Sequence, residues 1–387
     1  MKPLQRDVLS RDQIGAKLKE RIRIEFTPEE FRDEGRVLKR LGLFPPDIDY
    51  EKMTIDLLME QIAGFYDPFS GKLYVSDWLP LELQRPAMAH EIEHALQDQH
   101  FDLKKYATPI KDNDDKQMAQ SALVEGDGTA VMMEFQAQAM GLPVDQLPIL
   151  IEQVGKQMLQ GSFGSTPQFA KAPQYVKETL IFPYLQGLTF VEALRKGSPW
   201  SRIDEAFKSP PESTEQIIHP EKYLNKEHPI QIVPTALKSL GGRKELRRDV
   251  LGELVLKILF DMAPAPATAP AAKKAPPGAP PEQPATDVIA EKAAAGWGGD
   301  RLVAYGDGTP DGALTVVDLS VWDSESEAKE AEPVAQRLLA KLGVADSGRD
   351  DWLVQRQGDK LVMVFGAPRG TGAAVASEVL ASWKVQR

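Results

Sequence analysis

The sequence predicts an α+β protein made of a mainly helical N-terminal domain and a small C-terminal α+β domain with a four-stranded antiparallel sheet. Helix-period apolar positions dominate the N-terminal part, and a hairpin-like pattern interrupts them at 64–78. Strand-like and helical segments alternate after residue 287. Residues 263–286, between the two parts, are mostly proline and alanine, a composition that favours an extended, solvated linker. We therefore expect domains at 1–262 and 287–387.

The N-terminal part begins with helical patterns. Residues 8–41 place apolar side chains at helical spacing. The segment TPEE at 27–30 is typical of a helix start, with threonine as the N-cap and proline in the first turn. Gly42 and the proline pair at 45–46 end this helix, and the pattern resumes over 50–60.

A β-hairpin is predicted from turn chemistry. The segment GFYDPFSGKLYVSDW at 64–78 places β-prone residues on both sides of a turn that contains Asp, Pro, Ser and Gly. A long helix is expected to follow over about 82–99. The strand at 72–76 precedes that helix and is a candidate edge strand, to which an extended peptide could add. A purely structural hairpin is the alternative.

Further helices are predicted before the linker, at about 116–140, 144–160, 174–196 and 244–260. After the linker, strands are predicted at 300–306, 313–322, 351–357 and 360–366. Helices are predicted there at 287–295, 324–341 and 371–384. We expect these helices to cover one face of the sheet.

Composition excludes several kinds of site. The formal net charge of −11 argues against a nucleic-acid surface, because phosphate binding needs a basic patch. The absence of cysteine excludes disulfides, iron–sulfur clusters, thiolate zinc sites and cysteine nucleophiles. The first residues, MKPLQRDVLSRDQ, lack the apolar region of a signal peptide. The sequence contains no run of about 18 apolar residues, so it predicts no membrane-spanning segment.

The segment HEIEHALQDQH at 90–100 contains three of the five histidines. His90 and His94 are four residues apart on a predicted helix, so both imidazoles lie on one face and can bind the same cation. Glu91 can lean over that metal, take a proton from a metal-bound water and pass it to the leaving amine. This is the HExxH signature of zinc hydrolases. The alternative is a chance cluster of partly exposed histidines.

Two residues compete as the third ligand. His100 has the spacing of the HExxHxxGxxH metzincins, but Gln97 replaces the glycine at which those chains turn back to the metal. In a continuous helix His100 would point away from the other two histidines. Glu125, in SALVEGDGTAV on a downstream helix, is therefore favoured. Gly126 and Gly128 each cost about 1 kcal/mol against alanine inside a helix, which a close approach to the first helix would explain. A kinked helix with a surface glutamate is the alternative.

Supporting residues can be proposed around this site. Asp127 and Glu93 are candidates for orienting the histidines, by hydrogen bonds to the second nitrogen of each ring. An ordinary solvated aspartate is at least as good an interpretation of Asp127. His219 and Tyr223, in IIHPEKY, are candidate donors to the oxyanion of a tetrahedral intermediate. The alternative is a loop that is packed by its proline and isoleucine side chains.

The chain resembles zinc metallopeptidases of the gluzincin type, and more closely a poorly characterised bacterial family that shares several ordered blocks. These blocks are GFYDPFSGKLYV, AHEIEHALQDQHFDL, ALVEGDGTAVM, FPYLQGLTFVEALRKGSPW, PPESTEQIIHPEKY and GWGGDR…VWDSESEA. The resemblance runs from about residue 30 to the C-terminus, apart from the linker. Glu93 departs from the uncharged residue that zincin helices usually carry at that position.

The resemblance implies a zincin-like metallopeptidase domain at 1–262, with Zn2+ as the cofactor. The implied reaction is metalloendopeptidase cleavage of a peptide or protein substrate, with Glu91 activating a zinc-bound water. The identity of that substrate is not implied. The alternative is a zincin-shaped binding or scaffold protein with little or no turnover. Exported members of the family favour an extracytoplasmic location over a cytoplasmic one.

Overall fold

The computed structural model describes residues 3–61, 64–78, 81–141, 166–196, 200–266 and 285–387. Within these residues the chain is α+β, with fifteen α-helices and three β-sheets. None of the described helices is long and apolar enough to cross a membrane. The predicted helix at 144–160 and most of the predicted linker lie outside the described residues.

The helices in chain order are α1 (Arg11–Glu25), α2 (Pro28–Arg40), α3 (Tyr50–Gln61), α4 (Leu81–Phe101), α5 (Lys104–Ala107), α6 (Asp114–Ala139), α7 (Pro167–Lys171), α8 (Gln174–Arg195), α9 (Ser201–Lys208), α10 (Thr214–Ile218), α11 (Pro220–Leu224), α12 (Gly252–Asp261), α13 (Ala285–Ala294), α14 (Glu325–Ala345) and α15 (Gly372–Ser382). The strands are β1 (Gln5–Leu9), β2 (Gly64–Asp67), β3 (Lys72–Ser76), β4 (Gln231–Val233), β5 (Lys244–Asp249), β6 (Trp297–Gly306), β7 (Leu314–Trp322), β8 (Asp350–Gln357), β9 (Lys360–Pro368) and β10 (Lys384–Gln386).

The chain forms two compact units. The first contains Met1–Phe31, Ile48–Ile110 and Lys116–Glu227, and the second contains Arg32–Asp47, Lys111–Asp115 and His228–Arg387. This division differs from the boundary predicted at residue 262. Residues 228–262 lie in the second unit because β5, which precedes the predicted linker, pairs with β6, which follows it.

The sheet of the first unit has the order β1-β3-β2. β2 and β3 form the predicted antiparallel hairpin, with Phe65 opposite Tyr74. The prediction that 72–76 is an edge strand is wrong, because β1 pairs with it in parallel along its other side. Residues 8 and 9, the start of the predicted helical region, belong to β1, and α1 begins only after Ser10, whose side chain and Gln13 form a capping box.

The second unit contains a five-stranded antiparallel sheet in the order β5-β6-β7-β9-β8. The predicted four strands are present, and the fifth is β5, part of a segment predicted as helix at 244–260. β7 is buried at every position, as expected for a central strand covered on both faces. α15 packs on one face through Val375 and Val379, and α14 contacts β7, β8 and β9 from the other. The expectation that helices cover one face only is therefore wrong.

Candidate metal centre

Helices α4 and α6 of the first unit bring three potential metal ligands together. The Nε2 atoms of His90 and His94 are 3.0 Å apart. The Oε2 atom of Glu125 lies 2.9 Å from Nε2 of His90 and 3.4 Å from Nε2 of His94. Both imidazoles are 8% exposed, so the three groups meet in a largely desolvated place.

The donor set fits a zinc ion. Ligands of a tetrahedral zinc with bonds near 2.0–2.1 Å are separated by about 3.3 Å, close to the separations observed between these atoms. Three ligand atoms on one side leave a fourth position for a water or a substrate oxygen, as in catalytic rather than structural zinc sites. One ligand atom from each of His90, His94 and Glu125 lies within 4.8 Å of the other two. Among the described residues, this is the group containing histidine that could hold a metal ion.

The charges of the centre also call for a cation. Burial lowers the pKa of His94, but the Glu125 carboxylate outweighs burial and raises that pKa to about 10. Burial raises the pKa of Glu125, but His94 and His90 outweigh it and hold that pKa below its usual range. Without a metal, therefore, the carboxylate is balanced by a proton on the imidazole. A bound dication would take over this role, with the imidazole neutral.

His100 lies outside this group. It stands at the exposed C-terminal end of α4, where its ring contacts Phe101. The helix continues past Gln97 without a turn, so the geometry does not bring His100 to the other histidines. Between the two candidates for the third ligand, the structure brings Glu125 into the group.

Close approaches of glycines explain how Glu125 reaches the histidines. A Cβ atom on Gly128 would lie 2.9 Å from Cε1 of His90, so a side chain there would push against the ring. A Cβ atom on Gly126 would lie 2.2 Å from the backbone carbonyl carbon of Gly187, so α6 and α8 are in contact backbone to backbone. Glycine destabilises a helix, but Gly128 allows α6 to approach His90 of α4, and Gly126 allows it to approach α8.

Gln97 orients His94. The Nδ1 atom of His94 is 2.9 Å from Oε1 of Gln97, and Nε2 of Gln97 donates to Asp127 Oδ2 at 2.7 Å and to the Val124 carbonyl at 3.1 Å. Because both amide hydrogens of Gln97 are used in this way, its oxygen accepts from His94. In the neutral form that can bind a metal, the imidazole therefore keeps its proton on Nδ1 and turns the lone pair of Nε2 towards the centre.

The sequence pointed to Asp127 and Glu93 for this orienting role. Asp127 acts one step further out, through Gln97, and burial raises its pKa to about 6. Glu93 is half-buried, and burial together with the charge of Asp127 raises its pKa to about 7. Nδ1 of His90 is buried and has no hydrogen-bond partner among the described residues.

Glu91 is held beside the histidines by the hairpin. Its Oε2 atom accepts a hydrogen bond of 2.7 Å from the backbone N–H of Tyr66 in β2. Burial raises the pKa of Glu91, and the two histidines partly oppose that rise. A desolvated carboxylate with a raised pKa suits a group that must accept and return a proton.

Tyr184 is a neighbour of this centre that sequence reasoning missed. Its ring centroid lies 6.1 Å from that of His90. The charge of Glu125, then burial, then the charge of Glu91 raise the pKa of its hydroxyl well above the usual value. Tyr184 precedes Gly187 by one turn of α8, so the contact at Gly187 brings the tyrosine to the candidate metal ligands. The only signal in the sequence is that glycine in a helical segment, FPYLQG.

His219 and Tyr223 have contacts that include their own block, the end of α9 and α8. The Tyr223 hydroxyl donates to the carbonyl of Ser209 at 2.8 Å, and its ring packs edge-on against Phe190. Nδ1 of His219 lies 3.8 Å from Oε1 of Glu221. Their predicted role as oxyanion donors stays a prediction. The surrounding PPESTEQ block includes an ion pair between the buried Glu215 and Lys222, at 2.7 Å.

A group of carboxylates in the second unit already has a cation. Nη2 of Arg247 lies 2.6 Å from Glu34, 2.8 Å from Asp114 and 2.9 Å from Asp249. These three carboxylates are close enough together to hold a metal, but the guanidinium occupies the space between them. We therefore treat this group as an ion-pair cluster.

Comparison with known proteins gives one match. A family model described as a domain of unknown function (DUF8575) matches residues 238–376. The matched residues lie in the second unit, begin six residues before β5 and end in the first half of α15, so they include none of the candidate metal-centre residues. No curated protein and no solved structure shows a significant match.

Proposed function

We propose that the chain is a zinc-dependent endopeptidase whose first unit is a zincin-like domain. The observation that carries the proposal is the convergence of His90, His94 and Glu125, with Glu91 on the same helix as the two histidines. When bound by these three ligands, zinc would polarise a peptide carbonyl and lower the pKa of a water to about 7. The substrate class is a peptide or protein.

The remaining chemistry is assigned to residues of the chain. Glu91 takes a proton from the attacking water and then gives it to the leaving amine. We assign to the hydroxyl of Tyr184, whose ring lies 6.1 Å from that of His90, the donation to the carbonyl oxygen as it becomes negative. Its raised pKa keeps the phenol protonated and therefore able to donate.

β2 replaces β3 as the candidate edge strand for an extended substrate. β3 has a neighbour on each side, whereas β2 is the outer strand on the side of α4. In an antiparallel pair, alternate residues direct both backbone groups away from the partner strand. Since Tyr66 directs its N–H to Glu91, its carbonyl faces outward as well and is available to a peptide.

The metal assignment is tested by elemental analysis of the purified chain. We expect close to one zinc per chain in the wild type and in His100→Ala, and loss of zinc in Glu125→Ala. His100→Ala is the matched control, because it removes a histidine of α4 that lies outside the group. Zinc loss in the control with retention in Glu125→Ala would reverse the assignment of the third ligand.

The activity is tested on unfolded casein with Glu91→Gln as the control variant. We expect the wild type to cleave casein and Glu91→Gln to bind zinc but cleave at least about a hundredfold more slowly, as for loss of a general base. A wild type that holds zinc and cleaves neither casein nor a peptide library would favour the binding or scaffold alternative.

A further inference from the structure

Tyr66 joins strand β2 to helix α4 at two separate points. Its backbone N–H donates to Glu91 Oε2 at 2.7 Å, and its side-chain hydroxyl donates to Asp98 Oδ2 at 2.7 Å. One residue of the strand thus contacts both ends of the segment that carries the histidines. We call this pair of hydrogen bonds the Tyr66 clasp.

The spacing of the two attachment points gives the clasp its effect. Glu91 and Asp98 are seven residues apart, which is two helical turns, or about 10 Å along one face of α4. A strand held by one hydrogen bond can pivot about it. Two hydrogen bonds from Tyr66, one from its backbone and one from its phenol, oppose that pivoting and so constrain the orientation of the Glu91 carboxylate.

Asp98 is itself held in place. Its Oδ1 atom accepts from the backbone N–H of Leu103 at 2.9 Å, just after α4 ends. Its two oxygens are therefore used by the strand on one side and by the helix end on the other. Burial, followed by the hydrogen bond to Asp98, raises the pKa of Tyr66, so the phenol remains a donor.

We propose that Tyr66 is a positioning residue of the proposed peptidase site, acting through Glu91, with Asp98 as its anchor. This inference rests on the proposed function. The phenol touches no reacting atom. It sets where the backbone of β2 lies, and the backbone N–H sets where the Glu91 carboxylate lies when it accepts the proton. Catalysis is sensitive to such placement, since a shift of about 1 Å can cost a hundredfold in rate.

The test uses Tyr66→Phe and Asp98→Ala in the full chain, with Tyr74→Phe as the matched control, because alanine leaves no group at position 98 to bond the phenol. Tyr74 lies on the neighbouring β3. Its hydroxyl lies 3.3 Å from the Ser70 hydroxyl in the hairpin turn, whereas that of Tyr66 bonds a residue of α4. Hydrogen exchange at 64–67 is compared with exchange at 72–76. We expect about tenfold faster exchange in β2 alone for both clasp variants, and no change for the control.

Steady-state kinetics on a fluorogenic peptide derived from casein provide the second readout. We expect kcat to fall about 10- to 100-fold in each clasp variant with zinc content unchanged, and KM to rise as well, because β2 is also the strand proposed to receive the substrate. The double variant should be no worse than Asp98→Ala alone, because both changes break the hydrogen bond between the phenol and Asp98. A general packing defect would lower zinc content and affect Tyr74→Phe as well.

Three results would overturn the assignment. Unchanged exchange at 64–67 in Tyr66→Phe would show that the clasp does not hold the strand. Faster exchange with unchanged kcat in an active enzyme would show that Glu91 needs no such support, leaving the proposed function intact. A wild type that binds zinc and cleaves no peptide would overturn the proposed function, and with it the role of Tyr66, whatever the exchange data show.

Discussion

At the scale of single residues, Gln97 determines the state of His94. It accepts from Nδ1 of the imidazole while both of its amide hydrogens are bound by α6, so it can neither rotate nor exchange its roles. A neutral amide in this position orients the ring without adding negative charge, in contrast to the carboxylates that often orient metal-binding histidines.

We predict that Gln97→Ala weakens zinc binding about 10- to 100-fold, as is usual when the partner of a ligating histidine is lost. Competition with a chelator of known affinity measures the change. Gln117→Ala is the matched control, because Gln117 also bridges two backbone segments, Tyr106 and Ile110, away from the centre. Equal losses in the two variants would mean that the effect comes from general loosening of the fold.

The sequence predicts the metal-centre residues unequally, for a physical reason. His90, Glu91 and His94 share one helix, so their spacing alone places them on one face. Glu125 could be proposed because its glycine neighbours indicate contact with another helix. Tyr184 could not be found in this way, because its position depends on how α8 packs against α6, which is a non-local property.

At the scale of elements, the contact between α6 and α8 at Gly126 and Gly187 is the most demanding in the first unit. The backbones meet where each helix lacks a side chain, and the obstacle to a Cβ atom is backbone, which cannot rotate away. Such a contact positions Glu125 and Tyr184 together, since each lies within one turn of its glycine.

We predict that Gly126→Ala lowers the free energy of unfolding by about 1–3 kcal/mol, the usual cost of overpacking, although alanine is the better helix former. Zinc affinity should fall in parallel, because α6 must shift. Chemical denaturation monitored by circular dichroism measures the first effect.

Gly15→Ala in α1 is the control for this prediction. Its new Cβ would meet the flexible end of Met59, which can move, so we expect a small effect there. A Gly126→Ala variant as stable as wild type would contradict a backbone-to-backbone contact.

Local patterns predicted α4 and α6 to within two residues at their ends, whereas α14 extends four residues beyond its predicted end. They failed where a strand pairs with a distant segment. β5 was predicted as helix because its partner β6 lies beyond the linker, and β3 was predicted as an edge because its partner β1 is more than sixty residues earlier. Register with a remote strand leaves no local periodic signal.

At the scale of the whole molecule, the two units carry different information. The first holds the candidate metal centre, and the second holds the region that matches a family model without a known function.

The second unit also contains a buried pair of carboxyl groups, Asp300 and Asp318, on adjacent strands β6 and β7. Asp300 accepts from the backbone N–H groups of Leu251 and Gly252 at the start of α12, and from the indole of Trp297.

This pair should make the stability of the chain depend on pH. Burial raises the pKa of Asp300 to about 6, and burial together with the charge of Asp300 raises that of Asp318 well above its usual value. Between the unfolded pKa of about 3.9 and these folded values, the folded state binds more protons than the unfolded state. Stability contributed by the protonated pair is therefore present at low pH and is lost as pH rises through the folded pKa values.

We predict that Asp318→Asn raises the free energy of unfolding at pH 8 by about 1–3 kcal/mol, because one unit of pKa difference between the folded and unfolded states is worth about 1.4 kcal/mol. The amide resembles the protonated acid in shape and has no charge to bury. At pH 4 the variant and the wild type should be nearly equal, because Asp318 is then protonated in the folded state. Urea denaturation of the second unit at both pH values, followed by tryptophan fluorescence, measures the difference.

Asp307→Asn is the control, because Asp307 is exposed and the hydrogen bonds from Thr309 lower its pKa. Its carboxylate contributes stability above the unfolded pKa, so its replacement should not stabilise the unit at pH 8. Equal stability of Asp318→Asn and wild type at pH 8 would mean that the buried pair is solvated or bound to a cation rather than to a proton, and zinc or calcium added to the wild type would then separate these two cases.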